Sequence, residues 1–172
     1  TPIRTLLVTP ELVDEPEAAL RALTENPEDP ERTERFEKAA RAELGEVHSF
    51  IRERADDYRR KTGLEITERR AGLIADLYLK RATDVNTAVE EFQAMADEIR
   101  EEEAALQSKI EIRISFDPTA VDELIAESIK TGHPAGPLAF HLARKLEYGL
   151  KLVKDRAGTD AFVLNAEAVR NM

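Results

Sequence analysis

The chain has 172 residues, 42% hydrophobic and 35% charged, with a formal net charge of -10 and a pI of about 4.9. That length suits one domain with a long appendage, or two small domains, and so acidic a chain with no basic face excludes a phosphate track for nucleic acid and disfavours anionic membranes. With no cysteine, disulfides and thiolate metal sites are excluded, and a reducing cytoplasm is the expected compartment.

Aromatic residues make up only 5% and there is no Trp, so the core must be built from Leu, Ile, Val and Ala. That palette favours helix-on-helix packing. No apolar run approaches the roughly 20 residues needed to cross a bilayer. Thr1-Pro2-Ile3-Arg4 does not open a signal peptide, because no sustained apolar segment follows it. The missing initiator Met reads as processing or as truncation of a longer chain, with truncation the favoured reading.

Thr5-Leu6-Leu7-Val8, closed by Thr9-Pro10, predicts a strand or extended linker, and a brief helix follows from about Pro16 to Leu23. Leu12-Val13-Asp14-Glu15 has the outline of an acidic strand end from a nucleotide site. Pro10 interrupts the strand that such a motif needs, so the segment reads as a turn. Asn26-Pro27-Glu28-Asp29-Pro30 is a firm break.

From Glu31 to Lys61 the spacing predicts one helix about 45 Å long, its stripe carried by Phe36, Ala40, Leu44, Val47, Ile51, Ala55 and Tyr58. Arg52 to Arg70 mixes basic and acidic residues as a solvated helix face does. Gly63 fits a left-handed cap, and Thr67 caps a helix carrying Ile74, Leu77 and Tyr78. Asp84 to Lys109 is a second long helix with Val85, Val89, Phe92, Ala96, Ile99 and Leu106 on one face. Neither long helix can bury its stripe alone, which predicts packing as an antiparallel arm.

Beyond Lys109 the period changes. Ile110, Ile112, Ile114 and Phe116 alternate with polar residues, the clearest strand signal in the chain. Asp117-Pro118 caps and opens a helix burying Val121, Leu124, Ile125, Ser128 and Ile129. A loop over 131–137 leads to a helix from Pro137 with Leu138, Leu142, Leu146, Leu150 and Val153. A second strand, Ala161-Phe162-Val163-Leu164, precedes Asn165 as cap of a last helix at Glu167.

Chemistry is sparse along this path. None of the seven glycines precedes a Lys, so no phosphate-cradling P-loop is present. His48, His133 and His141 lack the spacing of a ligand set and read as solvated or satisfied side chains. Glu101-Glu102-Glu103 point in different directions on a helix, cannot converge on one ion, and read as a solvated face. No Ser or Thr stands in a recognisable His–Asp arrangement.

The stretch Ile112-Arg113-Ile114-Ser115-Phe116-Asp117-Pro118-Thr119-Ala120-Val121-Asp122-Glu123-Leu124-Ile125 is similar to the start of the small domain of Clp-, HslU- and Lon-type AAA+ ATPases. The small-residue loop after Thr131-Gly132, the Leu-periodic helix, Phe162-Val163-Leu164 and Asn165-Ala166-Glu167-Ala168-Val169 continue the likeness, which covers about residues 110–172. The resemblance implies a mainly α fold with a small β component: a long antiparallel helical arm plus an AAA+ C-domain-like α+β lid. The expected divisions are 1–30 as linker, 31–109 as arm and 110–172 as lid.

In that family a sensor arginine opens the helix after the loop and contacts the nucleotide phosphates. Here Pro134-Ala135-Gly136-Pro137-Leu138 stands there, with Gly136 or Pro137 in place of the Arg, and Arg144 lies nearly two turns later. The resemblance therefore implies Gly136 and Arg144 as the sensor-like, nucleotide-facing region. It implies no catalysis and no bound cofactor in this stretch itself, with ATP bound by the parent, an ATP-dependent unfoldase or protease subunit with chaperone-like work. The implied partners are the parent's own large domain and neighbouring subunits, with a protein substrate or adaptor on the arm. A different class of reading is a stand-alone helical adaptor or scaffold that binds partners through the arm.

Overall fold

A computed structural model describes residues 10–25, 30–81, 83–109 and 112–171. The expected strand at Thr5–Val8, the breaker Asn26–Asp29 and the start of the alternation at Ile110 lie outside the described residues. The protein is mostly helical, with one small sheet of two strands among the described residues. None of the helices described is long and apolar enough to cross a membrane.

Packing divides the chain into two units, Thr1–Phe50 and Ile51–Met172. In the first, α1 (Pro10–Asp14) packs against α2 (Pro16–Glu25), and α3 (Pro30–Glu53) begins. Leu12–Asp14 is therefore helical, where the sequence reading expected a turn. A proline at the first helical position has a suitable φ, and its missing N–H is one that the first turn leaves unpaired anyway. Ala40, Leu44 and Val47 on α3 are half-buried, and none of the described residues of this unit is fully buried. The side chain of Phe36 lies outside the described set.

The expected single helix over 31–61 is two. It breaks at Arg54 (φ -103°, ψ 12°), and α4 (Ala55–Thr62) starts afresh with Asp56 and Asp57 in its first turn, where carboxylates favour the positive end of the helix dipole. Gly63 caps it at φ 73°, its N–H donating to the Arg59 carbonyl at 2.9 Å. A left-handed turn of this kind is the one place where Gly carries no steric penalty. Thr67 Oγ1 then accepts from the Arg70 N–H at 3.3 Å, opening α5 (Glu68–Arg81), which buries Ala71, Leu73, Ile74, Ala75 and Leu77. Asp84 accepts from the Asn86 and Thr87 amides at 2.9 and 3.1 Å and so caps α6 (Val85–Lys109). The Thr87 hydroxyl, donating to Asp84 Oδ2 at 2.6 Å, and then those amides hold its carboxyl below the usual range.

Helix α6 organises the second unit. Its stripe of Val89, Phe92, Ala96, Ile99 and Leu106 is at most 3% exposed, and it packs against α5, β1 (Arg113–Phe116), α7 (Pro118–Thr131) and, most extensively, α8 (Ala135–Ala157). The boundary expected at 109/110 is thus crossed by the packing. Sequence spacing shows that a helix has an apolar stripe. It does not show which other stripe meets it.

Strand β1 pairs in parallel with β2 (Ala161–Leu164), in the register Arg113↔Ala161 through Phe116↔Leu164. Ile112, Ile114 and Phe116 all face the core, as the alternation predicts. A parallel pair needs a long crossover, and α7 with α8 supplies it. The N–H groups of Arg113 and Asp117 donate to the Asp160 and Leu164 carbonyls at 2.7 and 2.9 Å. The backbone N–H groups of the odd-numbered residues of β1 therefore point to β2, and those of the even-numbered ones point to the strand's other edge. Phe116 N–H, on that outer edge, donates to Glu103 of α6.

The caps are those expected. Asp117 accepts from the Ala120 N–H at 2.8 Å and the Thr119 hydroxyl at 2.6 Å, and Asn165 accepts from the Ala168 N–H at 3.2 Å to open α9 (Ala166–Arg170). Helix α8 begins at Ala135, two residues before the expected Pro137. Pro137 is accommodated because the amides of a first turn have no intrahelical acceptor.

Candidate functional site

The residues singled out by resemblance sit on α8. Gly136 is buried where α8 crosses α6: a Cβ placed on it would lie 3.4 Å from the Glu98 carbonyl oxygen and from Glu102 Cγ. Its N–H donates to Glu98 Oε2 at 3.3 Å, so a carboxylate from α6 serves the first turn of a helix whose N-cap, Pro134, offers no side-chain bond. Arg144 is on the exposed side, paired with Glu147 of the same helix, which also accepts from Lys151 at 2.9 Å. Those two cations hold the Glu147 carboxyl below its usual range, the Lys151 bond contributing most. The two predicted residues therefore occupy different surroundings: Gly136 faces α6 and Arg144 faces solvent.

Because Gly136 mediates a close helix crossing, Gly136→Leu is expected to destabilise the second unit by about 1–3 kcal/mol through overpacking. Gly136→Ala, at the edge of ordinary contact, is expected to be near neutral, with the helix preference of Ala offsetting the squeeze. Urea denaturation of both variants checks this; equal stabilities for Leu and Ala would remove the crossing argument.

Two sequence expectations need correction here. Glu101-Glu102-Glu103 is not wholly a solvated face. Glu101 is exposed, but Glu102 has a buried Oε2 without a protein partner, and Glu103 accepts the strand-edge N–H of Phe116. Likewise Arg70 does not belong to a solvated stripe. Its side chain is 13% exposed, it donates through Nε to Asp122 Oδ1 at 2.7 Å and through an Nη to the Glu65 carbonyl at 2.9 Å, and it lies 6.0 Å from the centre of the Phe92 ring. The partner carboxyl, 8% exposed, is pushed up by burial and pulled back by the Arg70 bond and charge.

That pair forms part of the wall of a cleft of about 450 Å³ between the α4–α5 loop, α6 and the start of α7. Its lining includes Gly63, Thr67, Arg69, Gln93, Arg100 and Thr119. Arg69 is bonded to Glu123, which Arg170 of α9 also engages, and Arg100 to Asp97 at 3.0 Å. The lining is rich in donors that already have carboxylate acceptors; these pairs tie α5, α7 and α9 together, while the Arg100 pair stays within α6. Spacing held only a partial signal for it: Arg70 precedes buried Ile74 by four residues and Asp122 precedes buried Ile125 by three, but nothing in the spacing pairs the two.

The histidines remain apart from this cleft. His133 and His141 are exposed and His48 is half-buried. The backbone carbonyl of His133 accepts from the buried Ser128 hydroxyl at 2.6 Å, which fixes the α7–α8 loop. Among the described residues no group of three or more His, Asp or Glu is placed to hold a metal ion. Comparison with models of known families, with characterised proteins and with solved structures gives no match for this chain.

Proposed function

We propose that residues 110–172 are the small lid domain of an AAA+ ATPase of the Clp, HslU or Lon type. In this reading the domain couples the nucleotide state of a parent chain to contacts between subunits, and does no chemistry itself. The helices ahead of it serve as an extension for protein partners, with α6 also packed into the lid's own core. One observation carries the reading. Strand, helix, helix, strand, helix follow in the order the sequence resemblance implies, with β1 and β2 in parallel register on either side of the α7–α8 crossover. The two strands and their helical pair, with α4, α5 and α6 in the same compact unit, form a body able to move as one about a hinge.

ATP belongs to the parent, and this chain offers it little. Gly136 turns its N–H to Glu98, and Arg144 is engaged by Glu147. The chain by itself is therefore expected to show no ATP hydrolysis and no thermal shift at micromolar ATP. A clear shift there would overturn the reading. The parental coding sequence gives the second check: a P-loop and an acidic strand end are expected within about 250 residues ahead of Thr1, the length of one large domain. An initiator Met directly ahead of Thr1, with no such motifs, would leave the stand-alone helical adaptor.

A further inference from the structure

Helix α8 has two faces. Its N-terminal half buries Ala135, Ala139, Leu142 and Ala143. On the opposite side His141, Lys145, Tyr148, Leu152 and Arg156 recur at intervals of three and four, which places them on one stripe, and all five are exposed. Tyr148 is 76% and Leu152 40% exposed, large values for apolar side chains in so short a stretch. Gly149 lies within the same surface, and a Cβ added there would meet nothing within 4 Å. A second backbone can approach closely at that point.

The charge of this segment is opposite to that of the whole. From Arg144 to Arg156 five basic side chains stand against Glu147 and Asp155, a balance of +3 in a chain of -10. Glu147 is itself engaged by Arg144 and Lys151, which leaves the stripe flanked by positive charge.

We propose that this outer face of α8 docks an acidic amphipathic helix of a partner protein. The occupant's chemistry follows from the face. A convex stripe with anchors at i, i+4 and a glycine between them suits ridge-into-groove packing with another helix. Tyr is a common interface anchor, and basic flanks select and steer an acidic partner. Nucleic acid fits less well, because the remaining chain repels phosphate and Leu152 contributes nothing to backbone recognition. The inference is independent of the lid reading, since it requires neither a nucleotide nor a parent ring.

The test uses the full chain and two labelled helical peptides, one with Leu at i, i+3, i+4 and i+7 and Glu elsewhere, the other with Lys in place of every Glu. Fluorescence anisotropy is expected to show the acidic peptide binding at least about tenfold more tightly than the basic one, with the preference falling as salt rises. Leu152→Glu and Tyr148→Ala are each expected to weaken it about tenfold or more, while Val163→Glu, on β2, leaves it unchanged. Circular dichroism melts of all three variants should match the parent, because these side chains are exposed. Equal binding of the two peptides, no binding up to millimolar concentration, or indifference to Leu152→Glu overturns the proposal. So does preferential binding of a single-stranded oligonucleotide or phosphatidylserine vesicles, or a concentration-dependent dimer of the chain that Leu152→Glu abolishes.

Discussion

Asp122→Ala is expected to cost the second unit about 3–5 kcal/mol, the loss typical when one member of a buried ion pair is removed and its partner stays behind. The partner here is Arg70, 13% exposed, left with the Glu65 carbonyl and the Phe92 ring as company. Urea denaturation measures the loss; a change below about 1 kcal/mol, the scale of an exposed pair, would show that the bond is made in water. Replacing both members with apolar residues, Arg70→Met with Asp122→Leu, should recover most of the stability, because the cost lies in the unpaired charge. The pH dependence carries a sign. Burial raises the Asp122 carboxyl above its ordinary value, so its ionised form is the costlier one in the fold. Its contribution is greatest below the unfolded value and declines as pH rises through the raised folded one. The penalty of Asp122→Ala should therefore not shrink on acidification to about pH 4. Shrinkage would mean that the Arg70 charge outweighs burial and that the folded carboxyl is lowered.

The same pair marks where sequence reasoning ran short. Caps were legible because their chemistry is local: Thr67, Asp117 and Asn165 each bond an amide three residues on, and Gly63 takes a positive φ at a helix end. The β1 alternation was legible for the same reason, since Ile112, Ile114 and Phe116 repeat with the pleat. Arg70 and Asp122 are 52 residues apart, and each looks like a solvent residue until the other is placed beside it. Glu103 was misread in the same way, its acceptor role depending on a strand edge that folds back onto α6. The break at Arg54 lay inside a smooth apolar period, which continues across it from Ile51 to Tyr58 and so gave no warning. The candidate site was legible only where it rested on spacing. Gly136 was picked for its place in a loop-to-helix element, and its actual neighbours, Glu98 and Glu102, lie on a different helix.

Phe92→Ala is expected to lower stability by a further class of loss, about 3–5 kcal/mol, from lost apolar transfer and the cavity left behind. Phe92 is 0% exposed in the first third of α6, the helix that touches α5, α7, α8 and β1. A cavity there cannot be closed by one neighbour moving inward, because each of those elements is held elsewhere. Helix α5 is tied to α7 through Arg70 and Asp122, β1 to β2 by the parallel ladder, and α8 to α6 at Gly136. Domains of this size are commonly stable by about 5–15 kcal/mol, so the variant should lose a large share of its folded reserve. Phe92→Leu, which keeps much of the volume, should cost less than half as much. The chain has no Trp and three Tyr residues, and two of them report different environments: Tyr58 is 6% exposed and donates to Asn86 at 3.2 Å, while Tyr148 stands in solvent. Near-ultraviolet dichroism from Tyr58 should therefore vanish in one transition together with the helical signal if α6 holds the unit as one cooperative body. Loss of the Tyr58 signal well before the bulk of the helix melts would instead place α4 and the start of α6 in a separate, weaker element. In that case the Phe92 penalty would fall on part of the structure, and its measured value would drop accordingly.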